Sequence, residues 1–212
     1  MFGKRGRPPQ DLWTRRREIY SAVSPLILNF GAKRLMMRQA AEAASLSIGG
    51  LYYYFPNKND LILHGLHPEA LRRRCLEFVD HAGVWRDQNI HKYYEEYLNF
   101  AIANVEFIRP SVYAALELGR EEFLSSVDSS VNMAAKDFRE LKRLILPGAS
   151  DEDLDHIERS LRRIMISASL DKNLSGNEVR KDMAAIFQGH LTSLPHEYTE
   201  LTIAIQERQP VE

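Results

Sequence analysis

Apolar residues return every third or fourth position through almost all of this chain, and that spacing constrains its fold more than any other feature. Ile19, Val23, Leu26, Ile27 and Phe30 form one stripe, closed by Gly31, which suits a left-handed helix end. Met37 to Ala44 and Ser47 to Phe55 are two short helical segments, the second stopped by Pro56. Asn57 with Asp60 three residues on reads as the cap of a further helix bearing Leu61, Ile62 and Leu66. A longer helix is predicted from about Asn89 to Ile108, with Pro110 beyond its end, and another from about Arg120 to Leu146. Ser150 with Asp153 opens a helix carrying Leu154, Ile157, Leu161, Ile164 and Met165. Ser175 and Glu178 form a capping box ahead of Val179, Met183, Ile186, Phe187, Leu191 and Leu194. Nothing alternates for long with period two, so strands are not expected. The predicted class is all-α.

Charge divides the chain. Residues 1–74 hold 13 Lys and Arg against 5 Asp and Glu, whereas the remainder holds 15 against 24. A basic module that meets a polyanion, joined to an acidic body that does not, would show this asymmetry; so would two solvated faces of opposite sign. No run approaches the roughly 18 apolar residues of a membrane span, so no membrane partner is expected. Cys75 is the single cysteine, which excludes an internal disulfide and suits a reducing, cytoplasmic compartment. The seven histidines show no metal-ligand spacing, and neither a hydrolase nucleophile motif nor a phosphate loop is present. No enzyme, metal or cofactor is expected.

The segment from Met37 to Phe55 is the most informative. Small Ala40, Ala41 and Ala44 let a neighbouring backbone approach, Leu46 can plug the turn, and Leu51 and Phe55 anchor the second helix one turn apart. Ser47 can cap that helix and leave its first-turn amides facing outward, where an anion is welcome. Gly49 and Gly50 present no side chains to a groove wall, and Tyr52 and Tyr53 add phenolic donors. Two short helices of this kind are able to set the second in a major groove about 12 Å wide.

With these residues the run from Ile19 to Leu61 resembles the DNA-binding domain of the TetR family of bacterial regulators. The likeness lies in the apolar first helix, Gly31, the Arg-x-x-Ala-x-x-Ala of Arg38, Ala41 and Ala44, and the Leu-Tyr-x-Tyr-Phe-x-x-Lys of Leu51 to Lys58. It implies that Arg38 contacts phosphate, that Ser47, Ile48, Gly49, Gly50 and Tyr53 line the groove-facing side of the third helix, and that Tyr52 and Lys58 grip the flanking backbone. Tyr52 as a packed aromatic and Lys58 as a solvated lysine are the alternatives. Four positions depart from the pattern. Ile48 stands where the family often has Lys or Arg, so a phosphate contact is lost or replaced by apolar contact to a thymine methyl. Gly50 replaces a small hydroxyl residue. Ser45 replaces the turn glycine, and Met36 a Thr cap.

The resemblance also implies a plan for the whole chain. Ahead of a helix-turn-helix domain over 13–64 lies a basic arm over 1–12, a separate nucleic-acid signal: its Arg-Gly-Arg-Pro resembles an AT-hook core, with Arg5 and Arg7 suited to a narrow minor groove, or it is a merely disordered basic tail. A helical-bundle domain over 65–200 binds a small-molecule effector and forms a homodimer, and 201–212 frays. Arg15, Arg16 and Arg17 are either phosphate contacts or a solvated helix start. Pro68 is expected to kink or split the fourth helix, as a hinge or as a static bend. Tyr93, Tyr97, Phe100, Asn104 and Tyr113 are candidate effector-pocket residues or plain core, and the helices near 151–170 and 176–194 are the candidate dimer surface. The expected function is a repressor that binds a palindromic operator in double-stranded DNA and is released by the effector. The alternative is a ligand- or partner-binding protein of the same fold without sequence-specific DNA binding.

Overall fold

The computed structural model describes residues 11–120, 148–171 and 173–191, apart from Asn89, and among them there are helices and turns but no strand. The elements are α1 (Leu12–Phe30), α2 (Met37–Ala43), α3 (Ile48–Tyr54), α4 (Lys58–Ile62), a 3-10 turn (His64–Leu66), α5 (Pro68–Gln88), α6 (Ile90–Leu118), α7 (Asp151–Leu170) and α8 (Gly176–Leu191). They divide into two units. One gathers residues 11–70 and 110–120; the other holds residues 71–109 and the described residues beyond 147. The expected boundary at residue 64 therefore differs from the observed division, because the last turns of α6 belong with the N-terminal helices. The arm over 1–12 and the helix expected over 120–146 lie outside the described residues, but for Asp11, Leu12 and Arg120.

In the first unit the apolar stripe of α1 turns inward. Ile19, Tyr20, Val23 and Ile27 are buried, together with Leu35, Ala40, Ala41, Leu51, Phe55, Leu61 and Ile62. Helix α2 packs on α3, and both pack on α1, as the small alanines allow. Pro25 lies inside α1 on its exposed side, where water can satisfy the Ser21 carbonyl that loses its partner. Gly31 does not adopt the left-handed helix-end conformation expected of it. Its φ is +81° but its ψ is 160°, a conformation outside the left-handed helical region and open to glycine. The positive φ strains any side chain there, and a Cβ would stand 2.7 Å from Glu117 Oε2, so that carboxylate would have to shift.

Two prolines on the helices that run between units behave differently. Pro68 was expected inside the fourth helix; instead it opens α5 as a first-turn residue, and His67 before it is extended with ψ 124°. The helix is thus split, with the 3-10 turn between the pieces. Pro110 was expected beyond the end of its helix, yet α6 runs through it to Leu118. Burial overrides the lost hydrogen bond: Ser111, Val112, Ala114 and Ala115 immediately after it are all buried.

The second unit centres on Phe78, Tyr97, Leu98, Ala101, Val105, Ile157, Leu161, Ala168, Val179 and Met183. Helices α7 and α8 pack on each other, and both predicted capping pairs form. Ser150 Oγ accepts from the Asp153 amide at 3.2 Å, and Ser175 Oγ accepts from the Glu178 amide at 3.3 Å. No described helix is long and apolar enough to cross a membrane.

Candidate nucleic-acid interface

Helix α3 is held from below and bare above. Leu51 and Phe55 are buried beneath it, one turn apart, so the opposite side faces solvent. Ser47 Oγ accepts from the Gly50 amide at 3.0 Å and fixes the helix start. The turn before it carries Ser45 at φ 53°, the left-handed conformation that a glycine would take with less strain. Helix α2 begins without a side-chain oxygen at Met36, but the Gln39 side chain reaches back to the Met36 amide at 3.1 Å, so half of a capping box survives.

The exposed side of α3 is apolar and aromatic. Ile48 is 49% exposed, Tyr52 45% and Tyr53 75%. Of the residues expected on the groove-facing side, Ser47, Ile48, Gly49 and Tyr53 are exposed and Gly50 is half-buried; Tyr52, expected at the flanking backbone, is exposed as well. The two glycines part ways. A Cβ on Gly49 would meet nothing within 4 Å, whereas a Cβ on Gly50 would stand 3.1 Å from Ser47 Oγ, pointing back at the cap. Gly49 is the opening in the surface; Gly50 accommodates the turn beside it. Tyr52 is not the packed aromatic of the alternative reading.

The neighbouring helices α2 and α4 carry charged groups. Arg38 is exposed on α2 and lies 3.7 Å from Glu42, a surface pair of little energetic weight that leaves the guanidinium accessible. Lys58 Nζ donates to the Lys33 carbonyl at 3.1 Å, so it is engaged rather than solvated. The loop it holds is gripped from the other side by Glu117, whose carboxylate accepts from the amides of Ala32 at 2.5 Å and Lys33 at 3.1 Å. Arg5 and Arg7 lie outside the described residues.

Sequence reasoning missed what positions α3. Arg15 is paired with Glu18 at 2.7 Å, and Arg16 donates from Nε to the Tyr54 carbonyl at 2.8 Å, closing the C-terminal end of α3. Its guanidinium stands 5.1 Å from the centre of the Trp13 ring and 5.7 Å from that of Phe55. Spacing was the signal available: Arg16 lies three, four and seven residues before Ile19, Tyr20 and Val23, on the buried stripe of α1, whereas Arg15 and Arg17 fall to either side of it. Deeper lies Ser111, fully buried: its hydroxyl donates to the Ile62 carbonyl at 2.8 Å and accepts from the Gly65 amide at 2.9 Å and from Tyr20 Oη at 2.7 Å. Its one proton and two lone pairs tie α1, the 3-10 turn and α6 at a single point. Beside it, His64 is enclosed by the rings of Trp13, Tyr20 and Phe55. Burial first, then the nearby His67 and Arg16 charges, lowers its pKa from 6.5 to about 3.

Three of the candidate effector residues, Tyr97, Phe100 and Asn104, are described in the second unit. Tyr97 and Phe100 both pack on Phe78, Phe100 stacked at 4.6 Å, and buried Asn104 accepts from Arg74 Nε at 2.8 Å. Tyr113 belongs to the first unit, and the Tyr93 side chain lies outside the described residues. On α7 and α8, Leu154, Ile157, Leu161, Val179 and Met183 are spent on the core; Ile164, Met165 and Ile186 are only partly covered. Among the described residues no cluster of His, Cys, Asp and Glu is arranged to hold a metal.

Comparison with known proteins agrees with this arrangement. Residues 24–64 match the family model described as bacterial regulatory proteins, tetR family. Among solved structures, a fatty acid degradation regulator from Bacillus halodurans is 15% identical with a TM-score of 0.59, over 91% of this chain and 100% of that one. A protein from Mesorhizobium loti assigned to the TetR family of transcriptional regulators is 12% identical with a TM-score of 0.50, over 87% and 98% of the two chains. At such identity these two speak for the fold alone. No curated protein matches the chain by sequence.

Proposed function

The chain belongs to the tetR family of bacterial regulatory proteins and is a DNA-binding transcriptional regulator, and from that premise we propose that it is a cytoplasmic repressor released by a small-molecule effector. Two copies present their α3 helices to the half-sites of a palindromic operator, about one helical turn apart. The observation that carries the reading is the open surface of Ile48, Gly49, Tyr52 and Tyr53, fixed from beneath by Leu51 and Phe55 and flanked by Arg38 and Lys58. Arg38 meets phosphate, Lys58 and Tyr52 hold the flanking backbone, and Arg5 and Arg7 follow the minor groove. The half-covered Ile164, Met165 and Ile186 on α7 and α8 supply the apolar part of the dimer contact. Tyr97, Phe100 and Asn104, with Tyr93, are the residues of the second unit assigned to the effector; Tyr113 belongs to the first unit.

Selection of genomic fragments on the full-length protein, followed by duplex titrations at several salt concentrations, tests this. The reading expects a steep salt dependence and a selected site bound roughly 10³–10⁷-fold more tightly than random duplex. A helical protein without DNA specificity would give neither.

A further inference from the structure

From the open surface of α3 the geometry points to thymine methyl groups as what the helix reads, with Ile48 as the residue that reads them. The inference rests on α3 entering a major groove and adds what it recognises there.

Base edges in that groove are distinguished by a small set of side chains. Arg or Lys pairs with guanine, Asn or Gln with adenine, Asp or Glu accepts from cytosine, and an apolar group meets the thymine methyl. From Ser47 to Phe55 the chain has none of the first six residue types. Outside the helix, Gln39 is engaged with the Met36 amide and Arg16 with the Tyr54 carbonyl, while Arg38 and Lys58 are assigned above to phosphate and the flanking backbone. What α3 does present is one branched alkyl side chain, Ile48, at 49% exposure in its first turn. Tyr52 follows one turn later on the same side, and Gly49 with Tyr53 forms the adjacent row. Since a Cβ at Gly49 would meet nothing within 4 Å, the groove floor is free to approach the backbone there and seat the methyl against Ile48. The two tyrosine hydroxyls are donors or acceptors without a fixed preference, so they hold the helix in place without dictating a base.

The test begins with a duplex selected from a random library on the full-length protein and then rebuilt with deoxyuridine in place of individual thymidines, which removes only the methyl group. One thymine in each half-site is expected to matter. Its replacement should weaken binding about fourfold per methyl, and about fifteenfold when both half-sites are changed. Ile48→Ala should weaken binding to the thymine duplex and abolish the difference between thymine and uracil; Ile48→Val should retain part of it. Because Ile48 is exposed, unfolding of both variants should match the parent. A selected site with no uracil penalty, or a penalty unchanged in Ile48→Ala, overturns the inference and leaves the regulator reading standing. Failure to select any duplex removes that reading and the inference with it.

Discussion

The outer face of α3 and the buried region around Ser111 invert the usual arrangement of polar and apolar groups. Outside, Ile48, Tyr52 and Tyr53 keep large apolar surfaces in water; inside, Ser111, His64 and the Tyr20 hydroxyl are withdrawn from it. Single exposed apolar residues are ordinary, but three within two turns of a short helix form a patch that awaits a partner. Buried polar groups in turn need partners, and Ser111 and Tyr20 find them across long sequence distances, Tyr20 to Ser111 and Gly65 to Ser111, whereas His64 Nε2 is buried without a hydrogen bond. The difference teaches that recognition is paid for by the interior. A seven-residue helix has little stability of its own, so its placement depends on what is fixed behind it.

If that division of labour holds, damage inside should unfold the head, while damage outside should spare the fold and remove binding. The largest effect is expected from acid. His64 has a pKa of about 3 in the folded chain and an ordinary value of 6.5 when unfolded, so between those limits the unfolded chain binds more protons. No penalty exists above about pH 6.5. Stability falls as the pH drops from there toward 3, by on the order of 4 kcal/mol from this one group. Denaturant titrations across that range should show the fall, and His64→Leu should flatten it.

Ser111→Ala comes next. It leaves the Gly65 amide and Tyr20 hydroxyl without their acceptor in a dry interior, at a cost of about 2–4 kcal/mol. Thermal unfolding should show it as a fall in the transition of the full chain. Arg16→Met keeps the aliphatic stem against Trp13 and Phe55 but frees the Tyr54 carbonyl; about 1–2 kcal/mol is expected by denaturant unfolding. Duplex affinity should fall further than that loss of folding accounts for, since the C-terminal end of α3 is released. Equal losses of stability and affinity would make Arg16 merely structural.

Much of the outer face was legible in the sequence because its causes are local. Ser47 caps within three residues, Leu51 and Phe55 lie one helical turn apart, Asn57 caps α4, and Ser45 takes a left-handed turn where the family pattern has glycine. The Lys58 side chain was ambiguous because its partner, the Lys33 carbonyl, is 25 residues away. The inner region was not legible for the same reason in stronger form: Glu117 reaches the Ala32 amide over 85 residues, and no spacing rule links them. Pro110 misled as well. A proline after a helical stretch argues for an end, and only the burial of Ser111, Ala114 and Ala115 shows why α6 continues. The effector residues were chosen by helical spacing alone, which groups Tyr97, Phe100 and Asn104 but cannot tell that Tyr113 falls in the other unit.

Gly49→Leu examines the central claim most directly, because the position opens onto empty space and lies on the face assigned to the duplex. Unfolding should be unchanged or slightly raised, since leucine is favoured over glycine in a helix by somewhat under 1 kcal/mol. Affinity for the selected operator should fall by roughly tenfold or more, the cost of a side chain interposed at a close contact. Parental affinity in the well-folded variant would contradict the account, for it would mean that this surface of α3 does not meet DNA.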